Sequence, residues 1–278
     1  MRLFFSGVRK LSLRPATFVT FGLLVGLLVL IVLAVGATAN SNMGGSNMGN
    51  GGAQGRAAVR ELLTFPGAYN RMLEFILGLG GLFAMIYGAA IAGSEWSWGT
   101  FKSAVARGES RVRYMLFSFA SIGFMIAIGI VIAFVIADVA GVIAANMAGI
   151  STSGLSDTST LGGLPERILK GWVAVLEEAA LGFTIATLAR SQLAGIGVGI
   201  AFYFGESFAG IFLPNIVKFM PFSVANAALS SGSVEVGAGG GSPIATLPPD
   251  QALVLVFVWL IGSLFVVSLF SDRAEITG

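Results

Sequence analysis

The chain has 278 residues, of which 55% are hydrophobic and 11% charged, with a formal net charge of +2 and a mean hydropathy of +0.88. Ordinary globular domains carry roughly 25% charged residues, so this chain has too few to coat a soluble surface and reads as a polytopic integral membrane protein. The absence of Cys and His excludes disulfides, thiolate or imidazole metal sites, His-ligated haem and any nucleophile that relies on a histidine base.

In residues 1–16, Leu3, Phe4, Val8 and Leu11 share one helical face, while Arg2, Arg9 and Lys10 lie off it. A basic amphipathic helix of this kind lies along a membrane surface, held by apolar burial and anionic lipid. Six stretches then reach the ~20 apolar residues needed to cross the hydrocarbon: 18–39, 73–92, 114–136, 168–189, 193–212 and 252–270. The first exceeds the ~7–15-residue core of a cleavable signal, and is expected to remain as a span.

Residues 40–55, almost wholly Asn, Ser, Gly, Met and Gln, read as a flexible linker. Residues 56–71 are regular enough for a short helix. Between spans two and three, residues 93–113 form a connector rich in aromatic and basic side chains. Ser97 or Thr100 is placed to cap a two-turn helix, and Gly108 to end it at the C′ position. Trp96, Trp98 and Phe101 would anchor that helix to the membrane, leaving Lys102 and Arg107 to project towards a soluble partner.

Residues 151–163 read as a polar loop, and Pro165-Glu166-Arg167 as a helix start. The connection 213–251 holds Pro214, Pro221, an apolar patch 219–229, a glycine run 237–241 and Pro248-Pro249. The patch fits either a re-entrant or interfacial helix or a plain loop.

Ten basic residues fall before span one, in the span 2–3 connector, between spans four and five, and after span six. The other six fall in longer connections. The positive-inside rule then puts both termini in the cytoplasm, and an even number of spans agrees; the expected location of this multi-pass chain is a prokaryotic inner (plasma) membrane.

Glu177 and Glu178 lie within span four and Glu206 within span five. A charge at mid-span costs roughly 2.5–3.5 kcal/mol on insertion scales, so these acids should face protein or water. Gly171, Val175, Glu178, Gly182 and Ala189 share one helical stripe, as do Gly195, Gly199, Phe202, Glu206 and Gly210. Gly195-x-x-x-Gly199 is a helix-association signal, expected at the packing seam of a dimer. Two roles stay open for the acids: lining a route for a cationic substrate, or structural hydrogen bonding, including a pair with Lys170.

No Gly-Lys dipeptide occurs, so the phosphate-cradling loop G-x-x-x-x-G-K-[ST] is absent from this sequence. Gly205-Glu206-Ser207-Phe208-Ala209 only echoes a nucleophile elbow, without a histidine to serve it. No covalent chemistry is expected of the chain, and no enzyme activity of its own.

The connector resembles that between the second and third spans of type-2 ABC exporter permeases, in the order and spacing of Glu95, Gly99, Thr100, Lys102, Gly108 and Arg111. Leu213-Pro214 through Ala227 resembles that family's proline-bearing external segment. The amphipathic start and the six-span layout are similar too. The resemblance implies one permease domain over 1–278, with an all-α fold of six transmembrane helices, an N-terminal interfacial helix and a cytoplasmic coupling helix. Glu95, Trp98, Gly99, Thr100, Lys102, Arg107, Gly108 and Arg111 would couple it to a soluble ABC ATPase. Two ATPase copies and a second permease chain, identical or paralogous, would complete the unit. ATP and Mg would belong to the partner subunit, with no cofactor in this chain and no nucleic acid involved. The long Gly/Asn-rich first loop departs from the pattern. Two other classes compete: an ion- or proton-coupled secondary transporter working through Glu177, Glu178 and Glu206, and a non-transporting membrane anchor.

Overall fold

The structure, a computed structural model, describes residues 2–40, 60, 62–229 and 247–274. Helices are α1 (Arg2–Ser12), α2 (Pro15–Asn40), α3 (Gly67–Ser97), α4 (Thr100–Ala106), α5 (Arg111–Met147), α6 (Thr158–Ala189), α7 (Gln192–Phe212), α8 (Pro214–Val217), α9 (Pro221–Leu229) and α10 (Pro249–Arg273), with a 3₁₀ turn at Ser153–Ser156. Six of them, α2, α3, α5, α6, α7 and α10, are long and apolar enough to cross a membrane. The described residues contain no strand. The protein is an all-α polytopic membrane protein, the form forced on an apolar chain because a helix satisfies its backbone polar groups internally.

The helices outrun the apolar stretches. The 31 residues of α3 reach roughly 46 Å at 1.5 Å per residue, beyond the ~30 Å of hydrocarbon. Past that boundary helical hydrogen bonding continues, and polar residues join the same rods. Residues 158–163, expected in a loop, are therefore the start of α6, which also absorbs Pro165. The start is capped by Asp157, whose carboxylate accepts from the Thr160 N–H at 3.1 Å and from the Ser159 and Thr160 hydroxyls at 2.8 and 2.6 Å. Of the short helix expected over 56–71, residues 67–71 open α3, while 56–59 and 61 lie outside the described residues. The linker 40–55 lies outside them from residue 41 on, as does the glycine run 237–241.

The chain divides into two compact units. One comprises Phe21–Leu79 and Gly129–Leu169. Its core joins Leu63, Phe65, Tyr69 and Phe134, with the Tyr69 hydroxyl donating to the Leu155 carbonyl at 2.9 Å. Small residues let its helices approach closely, Gly36 over Ala144 and Gly141 over Met72.

The other unit comprises Met1–Thr20, Gly80–Ile128 and Lys170–Gly278. Here α3 and α6 meet backbone to backbone. A methyl group at Gly88 would strike the Ala179 carbonyl, and one at Gly182 the Met85 carbonyl. Phe119, Phe183, Met85, Ile91, Met115 and Ile122 fill the core around that seam. The predicted apolar patch becomes α9, whose Val224, Ala227 and Ala228 pack on Ala252 and Val256 of α10. The amphipathic α1 forms as expected, with Leu11 buried and Phe4 edge-on to Phe124 at 5.7 Å.

Candidate functional site

The connector is a short helix between two left-handed glycines. Gly99 at φ 66° turns the chain out of α3 into α4, and Gly108 at φ 89° ends α4. Side chains rarely adopt that region, which is why glycine stands at both places. The Glu109 N–H reaches the Ala104 carbonyl at 3.2 Å and the Gly108 N–H that of Val105 at 2.9 Å, a Schellman ending with Gly108 at C′ as expected. The expected N-cap differs. The N-cap position is Gly99, without a side-chain cap. The Ser97 hydroxyl turns back to the Gly93 carbonyl, and the Thr100 hydroxyl bonds the Glu95 carboxylate at 2.6 Å.

Glu95 is the hub. Its side chain is 1% exposed, and a buried carboxylate requires partners. It receives the Lys10 ammonium at 2.6 and 2.8 Å, the Arg14 guanidinium at 3.1 Å, and the Tyr114 hydroxyl at 2.6 Å. Arg14 also donates to the Ser94 hydroxyl at 2.7 Å and lies over the Trp98 ring at 5.0 Å. Burial lowers the Lys10 pKa, and the adjacent Glu95 charge opposes that shift. One carboxylate thus ties together α1, the end of α3, the first residue of α4 and the start of α5.

The two faces of α4 differ as expected. Phe101 and Ala104 are buried, whereas Lys102, Ser103 and Arg107 are exposed. Phe101 stacks on Trp96 at 4.6 Å and approaches Tyr114 at 6.0 Å. Trp98, expected as an anchor, is 66% exposed. Arg111 reaches elsewhere, donating to the Asp272 and Ala274 carbonyls at 3.0 and 2.8 Å and so satisfying the open end of α10. Arg190, in the α6–α7 turn at φ 51°, lies over the rings of Trp96 and Phe270 at 5.2 and 5.3 Å.

The acids of α6 and α7 form a second cluster. Glu177, Glu178 and Glu206 are 0%, 4% and 4% exposed. Glu206 accepts from the backbone N–H groups of Phe222 and Ser223 at 3.3 and 2.5 Å. It supplies the cap that α9 lacks, because that helix opens on Met220 and Pro221. Glu178 lies against Gly81 of α3, where a methyl group would meet its carboxylate. Neither oxygen of Glu177 has a hydrogen-bond partner among the described residues, so Lys170 does not pair with it.

Gly195 and Gly199 belong to a seam within the chain. A methyl at Gly195 would meet Ala186 of α6, and one at Gly199 would sit 3.0 Å from the Met85 Sδ and Cε of α3. Both are buried, and the close approach they permit is that of α7 to its own neighbours in the chain.

The sequence marks Arg14 and Arg190 only as positive-inside charges and Lys10 as a lipid-facing base of the amphipathic helix, and does not single out Ser94 or Tyr114. One signal was available: Glu95 is the acid that directly follows the second apolar stretch, in a connector that also carries four bases.

No protein-family model matches the chain, and no curated protein matches it.

Proposed function

We propose that the chain is the transmembrane permease subunit of an ATP-driven ABC exporter, coupling ATP hydrolysis on a separate ATPase to movement of a substrate across the membrane. The observation that carries this reading is the connector. Its exposed polar face offers Lys102 and Arg107, and its buried face is locked through Glu95 to α1, α3 and α5. A push on α4 would pass into those helices rather than be absorbed by a loose loop. The lack of a phosphate-binding loop in this sequence suits a division of labour in which two ATPase copies bind ATP and Mg. The working unit would pair this chain with a second permease, identical or paralogous, in a prokaryotic inner membrane with both termini cytoplasmic.

The test is recovery of the tagged chain from its native membrane in mild detergent, with mass spectrometry of what accompanies it. A stoichiometric ATPase carrying a phosphate-binding loop is the expected companion. Recovery of the chain alone, in a detergent that preserves other ABC assemblies, would overturn the reading.

A further inference from the structure

We propose that the cargo is a lipophilic organic cation, bound by Glu177, Glu178 and Glu206 beneath α9; this names a substrate class and rests on the permease reading above. The hairpin of α6 and α7 turns at Arg190. At 1.5 Å per residue, Glu178, Glu177 and Glu206 lie roughly 18, 20 and 24 Å from that turn, within little more than one helical turn of one another along the hairpin. All are buried. Among the described residues their hydrogen bonds come from α9 to Glu206, from the Phe222 and Ser223 N–H groups and the Ser223 hydroxyl, and both Glu177 oxygens are without a partner there. Clustered carboxyls in an apolar setting call for positive charge.

The surroundings select which kind. Among the described residues no group of three or more acidic, His or Cys side chains is arranged to hold a metal ion. Aromatic rings gather instead at Phe222, whose N–H bonds Glu206, with Tyr203 at 4.9 Å and Phe202 at 6.1 Å from its ring. Carboxylates beside aromatic faces recognise bulky onium ions, which are weakly hydrated and attracted to ring faces. The partial positive charge of the α9 N-terminus sits on Glu206, and an arriving cation would take its place. That exchange makes α9 a cover released by cargo.

The experiment uses the full chain in lipid nanodiscs with two probes of one shape and opposite charge, tetraphenylphosphonium and tetraphenylborate, after subtracting uptake by protein-free nanodiscs. Saturable binding of the phosphonium alone is expected, weakened about tenfold or more by Glu177→Gln. Glu74→Gln, which alters an acid paired with Arg71 at 3.5 Å, should leave it unchanged. Faster backbone exchange at 221–229 should accompany binding. Equal saturable binding of both probes would overturn the proposal, as would unchanged affinity in a normally folded Glu177→Gln chain. If that variant misfolds, the charge preference of the unaltered chain decides. Protection of the cluster by sodium or protons without phosphonium binding would replace the organic cation and also overturn it. Binding is read on this chain alone, so its failure is distinguishable from failure to recover an ATPase.

Discussion

Glu95 shows why a single residue can organise a junction. Its carboxylate is surrounded by two cations and two hydroxyls inside a nearly dry site. Removing one side of a buried ion pair strands the other, typically at 3–5 kcal/mol. Because Lys10 is one-third exposed, its share is screened, and Glu95→Ala should cost about 3 kcal/mol, read as a lower thermal-unfolding midpoint of the purified chain. An unchanged midpoint would mean that the hub contributes little. Glu206 behaves differently, since it meets the Phe222 and Ser223 N–H groups and the Ser223 hydroxyl of α9 rather than cations. Glu206→Ala should loosen α9 by about 1–2 kcal/mol, as loss of a cap does, and hydrogen exchange at 222–225 would report it. Asp157 adds a pH dependence. The Thr160 hydroxyl first, then that of Ser159, holds its carboxyl below the usual carboxylate range. The cap is therefore fully in place above the ordinary Asp pKa and is lost as pH falls through the lowered one. Protection factors at 158–161, which divide out the intrinsic pH dependence of amide exchange, should fall in acid and stay flat between pH 5 and 7.

At the scale of elements, helix contacts turn on where small residues face. Gly195 and Gly197 sit two positions apart on α7. A methyl at the first would meet Ala186 backbone, while nothing lies within 4 Å of the second. Gly195→Ala should therefore destabilise the chain by about 1–3 kcal/mol, as overpacking does, whereas Gly197→Ala should be neutral or slightly stabilising. Equal effects in thermal unfolding would count against this α6–α7 seam. The connector offers the matching functional contrast. Lys102 and Arg107 lie on its exposed side, so the double change to Glu should leave folding intact and, if the proposed permease function holds, weaken recovery of an ATPase by about tenfold or more. A variant that captures the ATPase normally would show that this face is not the docking face.

For the whole molecule, the six crossings, the amphipathic start and the connector helix with its Gly108 ending were all legible in one dimension, because each follows from local composition and helical period. Residues 158–163 were misread as loop, since a helix can continue through glycine and serine once Asp157 caps it. The acids stood out as costly residues in apolar spans, but their separate circumstances did not. Glu206 is bonded by a helix that begins fifteen residues later, and Glu177 by nothing given among the described residues. The convergence of Lys10, Arg14, Thr100 and Tyr114 on Glu95 joins positions up to 104 residues apart, and no local period encodes such a meeting. The sequence alone determined that the chain is a helical membrane protein and where its six apolar spans lie, because hydrocarbon leaves the backbone little choice. Only the tertiary structure decided which charges meet, which glycines touch and which carboxyl is left without a partner among the described residues, because those depend on how the helices pack against one another.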